Sequence, residues 1–172
     1  MHKDELRAAQ APLKDRYRRE PGAAFITLRA QGKMGDGVTC SIATGKALVE
    51  AGLHPATGGS GVSACSGDML LEALVACAGV TLAAVATSTG IAVQDAVINA
   101  EGDLDFRGTL GVSKDVPVGL QDIRLNFEIR SNASREELET LIRLTERYCV
   151  VYQTLKSSPP VTIDFRSTPD RS

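Results

Sequence analysis

The arrangement of apolar and polar residues changes sharply at residue 66. From Ser66 to Gly90 nearly every residue is apolar, which predicts one long helix. Ser66 is expected to cap its start, Asp68 sits in the first turn, where the helix dipole favours a carboxylate, and Gly90 ends it. A helix that is apolar on all sides has to be buried on all sides. We therefore expect this segment to form the centre of the fold.

A second helix is predicted near the end of the chain. Ser134–Glu137 has the sequence SREE, a capping box in which each side chain satisfies a backbone donor of the other residue. The residues that then fall on one helical face are Leu138, Leu141, Ile142, Thr145, Tyr148 and Cys149. We expect this face to pack on the central helix. A fresh helical turn, Val150 to Lys156, is predicted to follow Cys149, and the SSPP sequence after it ends the helix.

Alternating apolar and polar residues elsewhere predict strands. The predicted strands are Ala24–Ala30, Val38–Thr44, Lys46–Glu50, Ile91–Asp105, Gln121–Arg130 and Val161–Phe165. Gly35–Gly37 is expected to turn the chain between the first two, and Phe106–Val112 is a weaker strand or an irregular link. Strands, a long helix, further strands, a helix and a last strand predict an α+β domain.

The first 22 residues differ from the rest in being rich in charge. We interpret residues 1–22 as an N-terminal helical arm that packs loosely on a domain of residues 23–172 or on a partner chain. Pro12 disfavours one continuous helix here, because proline lacks the N–H that a helix interior needs.

Composition restricts the class of protein, its partners and its location in the cell. The chain has 172 residues, 43% hydrophobic and 23% charged, without tryptophan, which is the profile of a globular domain. A net charge of −2 argues against nucleic acid or a membrane surface as partner. The uninterrupted apolar run Ala73–Ala86 has 14 residues, fewer than the roughly 20 that a bilayer needs. The charged start of the chain shows no secretory signal, so we expect a cytoplasmic protein.

The candidate reactive residues are the four cysteines, Cys40, Cys65, Cys77 and Cys149. In the cytosol, disulfides are usually catalytic or sensing. A reactive thiol needs a lowered pKa, and a peroxidatic cycle needs a second thiol to condense with the sulfenic acid of the first. Cys77 and Cys149 both lie on predicted helices that are expected to meet, so they are candidates for such a pair. Two buried, inert cysteines are the alternative.

No metal or cofactor is predicted. His2 and His54 are the two histidines, and two distant histidines do not make a metal site. The glycine-rich loop before the central helix lacks the spacing of a phosphate-binding loop.

Two stretches of the sequence resemble a known family. SGDMLLEALVACAGVTL resembles the first signature of the OsmC/Ohr family, the osmotically inducible and organic-hydroperoxide-resistance proteins, and RLTERYCVVYQTLKSSPPVTIDF resembles the second. The resemblance runs from about Phe25 to Phe165. It implies antiparallel sheets wrapped around two central helices in an intertwined homodimer, with active sites at the subunit interface.

The same resemblance implies a thiol-dependent peroxidase acting on organic hydroperoxides. By position, Cys77 corresponds to the peroxidatic thiol and Cys149 to the resolving thiol, with an external dithiol as reductant. Asp68 takes the place of the acidic residue that orients an arginine beside the thiolate.

This sequence departs from the family pattern at three points. The acidic residue is Asp68 where glutamate is common, Val150 stands where proline is frequent, and no activating arginine is evident. Lys33 and Arg29 are the candidate cations. These departures leave open a non-catalytic dimer that acts in stress or binds a small apolar ligand. Cys65 precedes Cys77 by roughly 18 Å of helical rise and is expected to be incidental.

Overall fold

The computed structural model describes residues 3–34, 40–42, 51–62 and 64–166. In chain order, the helices and strands are α1 (Lys3–Arg19), β1 (Phe25–Met34), β2 (Cys40–Ile42), β3 (Ala51–Gly52), β4 (Ala64–Cys65), α2 (Ser66–Thr89), β5 (Val93–Asp105), α3 (Phe106–Thr109), β6 (Gln121–Ser131), α4 (Arg135–Tyr148) and α5 (Val150–Lys156). The α+β class is confirmed. The predicted third strand, the turn at Gly35–Gly37 and the side chain of Cys40 lie outside the described residues.

One four-stranded antiparallel sheet carries the fold, in the order β2-β1-β5-β6. Its register pairs Ala30 with Ala100 and Ala100 with Leu125. Alternate residues of β5, among them Ala96, Ile98 and Ala100, are buried because α2 packs on β1 and β5. The two strands outside this sheet, β3 and β4, form a short parallel pair that leads into α2.

The central helix is placed as predicted, with one correction at its start. Gly90 ends α2 in the left-handed conformation, with φ of 72°, and its N–H is donated to the carbonyl of Ala86. Ser66, the predicted cap, is instead the first helical residue, and Cys65 occupies the cap position without a side-chain hydrogen bond. The reason is the pairing of β4 with β3, which keeps the chain extended through Cys65.

The expectation that α2 is buried on all sides is wrong on one side. Leu71, Val75, Ala78 and Leu82 are fully buried, but a line of residues at alternating spacings of three and four remains open to solvent. Leu70 and Val80 in this line are 40% and 39% exposed. We refer to the line as the α2 stripe, and it consists of Leu70, Ala73, Cys77, Val80 and Ala84.

Among the described residues, α2 is also the one helix long and apolar enough to cross a membrane. Half of its most apolar window is buried inside the fold. Core helices pass the same test of length and composition, so this is weak evidence for a span.

The N-terminal helix is continuous through Pro12, against the prediction, and it is not loosely attached. Tyr17 is 2% exposed, and its hydroxyl donates a hydrogen bond of 2.6 Å to the carbonyl of Ala56. Leu13 packs against the core one turn earlier. The apolar contacts of Leu13 and Tyr17 offset the loss of one helical hydrogen bond at the proline.

The capping box of α4 is confirmed. The backbone N–H of Ser134 donates to the Glu137 carboxylate at 2.7 Å, and the Ser134 hydroxyl accepts from the Glu137 N–H at 3.3 Å. The helix packs on α2 through a face that includes buried Leu141 and Thr145. Tyr148 was predicted on this face, but it is 56% exposed because the helix ends there.

Two further segments with a predicted strand, for one of which an irregular link was the alternative, are not strands. Phe106–Val112 begins with the short helix α3, because the Asp105 carboxylate caps it by accepting from the N–H of Arg107 at 3.0 Å. The segment 161–166 is not paired with any strand in the described part of the chain. Its alternating residues Val161, Ile163 and Phe165 are 83%, 94% and 85% exposed.

Candidate active site

The structure brings together the two cysteines that the sequence singles out. Cys77 lies at the middle of α2 and is the half-buried member of the α2 stripe. Cys149 is the single residue between α4 and α5 and is 1% exposed. Because α4 and α5 both pack on α2, the two thiols lie within hydrogen-bonding reach of each other. Both are free thiols.

Several donors around Cys77 favour its thiolate. Burial acts to raise the pKa of the Cys77 thiol, but the backbone N–H groups of Val151 and Val150 and the side chains of Cys149 and Thr81 act in the opposite direction. The donors outweigh burial, and the pKa of Cys77 lies below its ordinary value. Val150 and Val151 begin α5, where backbone N–H groups have no partner within the helix.

The pKa of Cys149 is shifted in the opposite direction. Burial raises the pKa of Cys149 to about 11, and its interaction with the Cys77 thiol adds to this effect. Of the two thiols, Cys77 is therefore the group that ionises first as pH rises. The thiolate is the nucleophile in thiol chemistry, so the nucleophilic position of the pair is Cys77.

Neither candidate cation is among the groups that lower the pKa of Cys77. The Lys33 ammonium is 3.6 Å from the Asp95 carboxylate, with a side chain 65% exposed. The backbone of Arg29 pairs with Glu101 in the register of β1 and β5, and its side chain lies outside the described part of the structure. Within the described residues, the stabilisation of the thiolate therefore comes from uncharged donors.

Asp68 is separate from the two thiols. Nine residues of helix between Asp68 and Cys77 correspond to about 13 Å of rise and half a turn of rotation, so the two lie on opposite sides of α2. Burial raises the pKa of Asp68, and nearby His54 acts electrostatically against this rise. No arginine forms a described ion pair with Asp68, so its predicted role in orienting one rests on the family resemblance alone.

His54 is held in place by two contacts. Its ring stacks on that of Phe106 with centroids 5.0 Å apart, and its Nδ1 accepts from the N–H of Ala56 at 3.0 Å. The Ala56 carbonyl also accepts a hydrogen bond from the Tyr17 hydroxyl, so α1 is tied to the loop before α2, and the His54 ring connects this loop to α3. These contacts are separate from the groups that act on Cys77.

A cavity of about 170 Å³ lies beside Cys149, on the side of α4 that faces the sheet. We refer to it as the α4–β6 cavity. Most of its wall is apolar, and it is lined by Ala78, Leu125, Phe127, Ile142, Thr145, Glu146, Cys149 and Tyr152. The Glu146 carboxylate accepts from the Tyr152 hydroxyl at 3.0 Å and from Lys156 at 2.8 Å.

The sequence-based reasoning missed Thr81 and the backbone of Val150 and Val151. Thr81 carried a signal, because a residue four positions after Cys77 lies on the same helical face. The backbone donors carried none, since every residue except proline has an N–H. Cys65, half-buried at the start of α2, is remote from the pair as expected. In the described ranges no group of three His, Cys, Asp or Glu side chains is placed to hold a metal ion.

Comparison with known proteins agrees with this architecture. The family model described as OsmC-like protein matches residues 58–164, more than half of the chain and a range that includes both cysteines. The fold is similar to the crystal structure of an OsmC-like hydroperoxide resistance protein from Jannaschia sp. CCS1, with a TM-score of 0.61 and 15% sequence identity. That alignment covers 84% of this chain and 95% of the other. No curated protein matches the sequence. The chain belongs to the OsmC-like family.

Proposed function

We propose that the protein is a thiol-dependent peroxidase that reduces organic hydroperoxides through Cys77 and Cys149. Membership in the OsmC-like family favours a peroxidase-type stress function. The observation that carries the proposal is the pair of thiols within hydrogen-bonding reach, of which Cys77 has the lowered pKa. A thiol that ionises more readily beside one that ionises less readily is the arrangement that a two-cysteine peroxidase requires.

The proposed cycle follows from this arrangement. The Cys77 thiolate attacks the distal oxygen of the hydroperoxide, the O–O bond breaks, and the alkoxide takes up a proton and leaves as an alcohol. The sulfenic acid formed on Cys77 then condenses with the Cys149 thiol, which releases water and forms a disulfide. An external dithiol returns the disulfide to two thiols and is itself oxidised.

Two features support an active homodimer. The α2 stripe presents apolar residues at the spacing of a helix–helix seam, and Cys77 belongs to it. The segment 161–166 has the alternation of a strand but no partner among the described strands, as a strand shared with a second subunit would have. We propose that a second copy covers both and that the active sites therefore lie at the interface.

The dimer is tested by sedimentation velocity on matched variants. Val80→Glu places a charge in the α2 stripe and is expected to yield monomers. Val118→Glu makes the same change at a residue that is 62% exposed and outside the stripe, and should leave the dimer intact. A dimeric Val80→Glu variant would contradict this interface.

The peroxidase is tested by turnover of cumene hydroperoxide with dithiothreitol as reductant. Cys77→Ser is expected to abolish turnover because it removes the nucleophile. Cys65→Ser, at a half-buried cysteine remote from the pair, is the matched control and should retain activity. Equal activity of Cys77→Ser and the wild type would contradict the proposal.

The second candidate function is a dimeric stress or ligand-binding protein without turnover. The observation that favours it is the lack of a cation among the described groups that favour the Cys77 thiolate. Thiol titration before and after one equivalent of hydroperoxide separates the two candidates. Loss of two thiols per subunit supports catalysis, and no loss supports binding. A cytoplasmic location stays a prediction of the sequence.

A further inference from the structure

The junction between α4 and α5 leaves the first N–H groups of α5 without a partner in the helix. Cys149 is extended at this junction, with φ of −72° and ψ of 106°. In an uninterrupted helix the Val150 N–H would bond the carbonyl of Glu146. Because the helix breaks at Cys149, the N–H groups of Val150 and Val151 are instead available to the Cys77 sulfur.

Glu146, near the end of α4, accepts hydrogen bonds from three side chains of α5. Its carboxylate oxygen Oε1 accepts from the Tyr152 hydroxyl at 3.0 Å and from the Lys156 ammonium at 2.8 Å. Its backbone carbonyl, which the break deprives of the Val150 N–H, accepts from the side-chain amide of Gln153 at 2.8 Å. We refer to these three bonds as the Glu146 clamp.

Packing alone does not fix the position of α5. A helix of seven residues is not stable by itself. Val151 and Leu155 contact the core, but no side chain of α5 is fully buried, and the α4–β6 cavity leaves open space beside the helix. In contrast, α4 is anchored by buried Leu141 and Thr145. Glu146 therefore connects a helix that is held by its core contacts to one that is not.

We propose that Glu146 is a positioning residue for Cys77: by holding the side chains of α5, it keeps the first two N–H groups of this helix at the Cys77 sulfur. The inference rests on the proposed role of Cys77 as the nucleophile and adds a residue that acts on it through α5. Glu146 itself is not among the groups that act on the Cys77 thiol.

Positioning and charge predict opposite effects of removing Glu146. A carboxylate near a thiol disfavours the thiolate by repulsion, so loss of the charge alone would lower the pKa of Cys77. Loss of the clamp would instead let the donors of α5 move away from the sulfur, which would raise this pKa. Among the described groups, Cys149 is the titratable one that acts on Cys77, and no Lys, Arg, Asp or Glu does so.

The test is the pH profile of iodoacetamide alkylation of Cys77 in a Cys65→Ser background. Trypsin leaves residues 47–107 as one peptide, in which Cys77 is then the remaining cysteine, so mass spectrometry follows this thiol alone. We expect Glu146→Ala to raise the midpoint by about one unit, since a hydrogen bond to a charged group is worth that much or more.

Glu139→Ala is the matched control on the same helix. Glu139 accepts from Arg135 at 2.8 Å within α4, so its removal should leave the midpoint unchanged. Glu146→Gln separates charge from hydrogen bonding, because it removes the charge and keeps an oxygen that accepts from α5. Its midpoint should be nearer to that of the wild type than the midpoint of Glu146→Ala is.

A neutral change tests the clamp from α5. Tyr152→Phe removes one bond of the clamp without altering any charge, and we expect a smaller rise in the midpoint because Lys156 still holds Glu146. Tyr148→Phe, at an exposed tyrosine, is its control and should show no rise. Circular dichroism establishes that each variant is folded, and Tyr152→Phe decides the question if Glu146→Ala is not.

An unchanged or lowered midpoint in folded Glu146→Ala would overturn the inference, as would an equal rise in Glu139→Ala. Lower thermal stability without a shift of the midpoint would give Glu146 a structural role only and would overturn it as well. No rise in Tyr152→Phe would have the same meaning.

The outcomes separate this inference from the proposed function, because alkylation involves no hydroperoxide. If Cys77→Ser retains turnover, the proposed peroxidase fails, and the alkylation profile still decides whether Glu146 positions α5. If Cys77→Ser loses turnover while Glu146→Ala keeps the wild-type midpoint, the peroxidase stands and this inference fails.

Discussion

The backbone N–H of Val151 lies within hydrogen-bonding reach of the Cys77 thiol, although the two residues belong to different helices. This contact exists because Cys149 separates α4 from α5, and the first turn of α5 then faces α2. The Val151 N–H has no partner within α5, and the Cys77 sulfur serves as its acceptor. The same N–H replaces part of the water that would otherwise stabilise the Cys77 thiolate.

The first prediction concerns the pKa of Cys77. Burial acts to raise this pKa and the donors outweigh it, so the pH profile of alkylation should have its midpoint below about 8.5, the value of an ordinary thiol. Thr81→Val removes one donor and should raise the midpoint by about one unit, since a hydrogen bond to a charged group is worth about 1.5 to 3 kcal/mol. The measurement is the rate of iodoacetamide alkylation in a Cys65→Ser background.

The control for this prediction is Thr87→Val on the same helix. Thr87 donates to the carbonyl of Ala83 at 2.8 Å, as threonines in helices often do, and does not act on Cys77. Identical profiles for the two threonine variants would contradict a role for Thr81. Because the folded pKa of Cys77 is lowered, the thiolate also adds stability above the unfolded pKa, which is lost as pH falls through the folded value.

The second prediction concerns Asp68. Asp68→Asn should change the rate of hydroperoxide turnover by no more than about a factor of two, because Asp68 and Cys77 lie on opposite sides of α2. Burial raises the pKa of Asp68, so its protonated form contributes stability that is full below the unfolded pKa and is lost as pH rises through the folded pKa. The variant should therefore be at least as stable as the wild type at pH 7 by thermal unfolding. A loss of activity of a hundredfold would instead support the role implied by the family.

The third prediction tests the attachment of α1. Tyr17→Phe removes a donor to the Ala56 carbonyl and should lower the free energy of unfolding by about 1 to 3 kcal/mol, since the carbonyl loses its buried partner. Urea unfolding followed by circular dichroism measures the change. Tyr148→Phe, at a tyrosine that is 56% exposed, should change it by less than about 0.5 kcal/mol. Equal effects would show that α1 is not held by this bond.

The fourth prediction tests how closely α1 packs on the loop before α2, at the contact between Ala9 and Gly58. Gly58 has φ of 92°, and a Cβ at this position would stand 3.3 Å from the Cβ of Ala9 in α1. Gly58→Ala should therefore cost about 1 to 3 kcal/mol of stability. Gly22→Ala, where a Cβ would meet no atom within 4 Å, is the control and should be nearly neutral. Thermal unfolding of the two variants measures the difference, and equal stability of the two would contradict the prediction.

Much of the fold could be predicted because its signals are local. The capping box at Ser134, the left-handed Gly90 and the alternation of β5 and β6 each depend on neighbours in sequence. The continuity of α1 through Pro12 could not be predicted, because it depends on distant contacts of Leu13 and Tyr17. The unpaired segment at 161–166 has a strand pattern, but pairing also needs a neighbouring strand, which the pattern does not supply.

The candidate site was predicted in part. Its two cysteines are visible as residue types, and their proximity follows from the meeting of α2 with α4 and α5. The family resemblance implied an arginine as the activating group, whereas the residues alone left open whether a cation or another donor would serve. Two of the four described donors are backbone groups, which no residue type reveals.

Main-chain donors at Val150 and Val151 have a consequence for how this site tolerates mutation. An arginine is lost by a single codon change, whereas an amide persists through every substitution except proline. Substitutions at these two positions other than proline therefore leave the backbone partners of the sulfur in place.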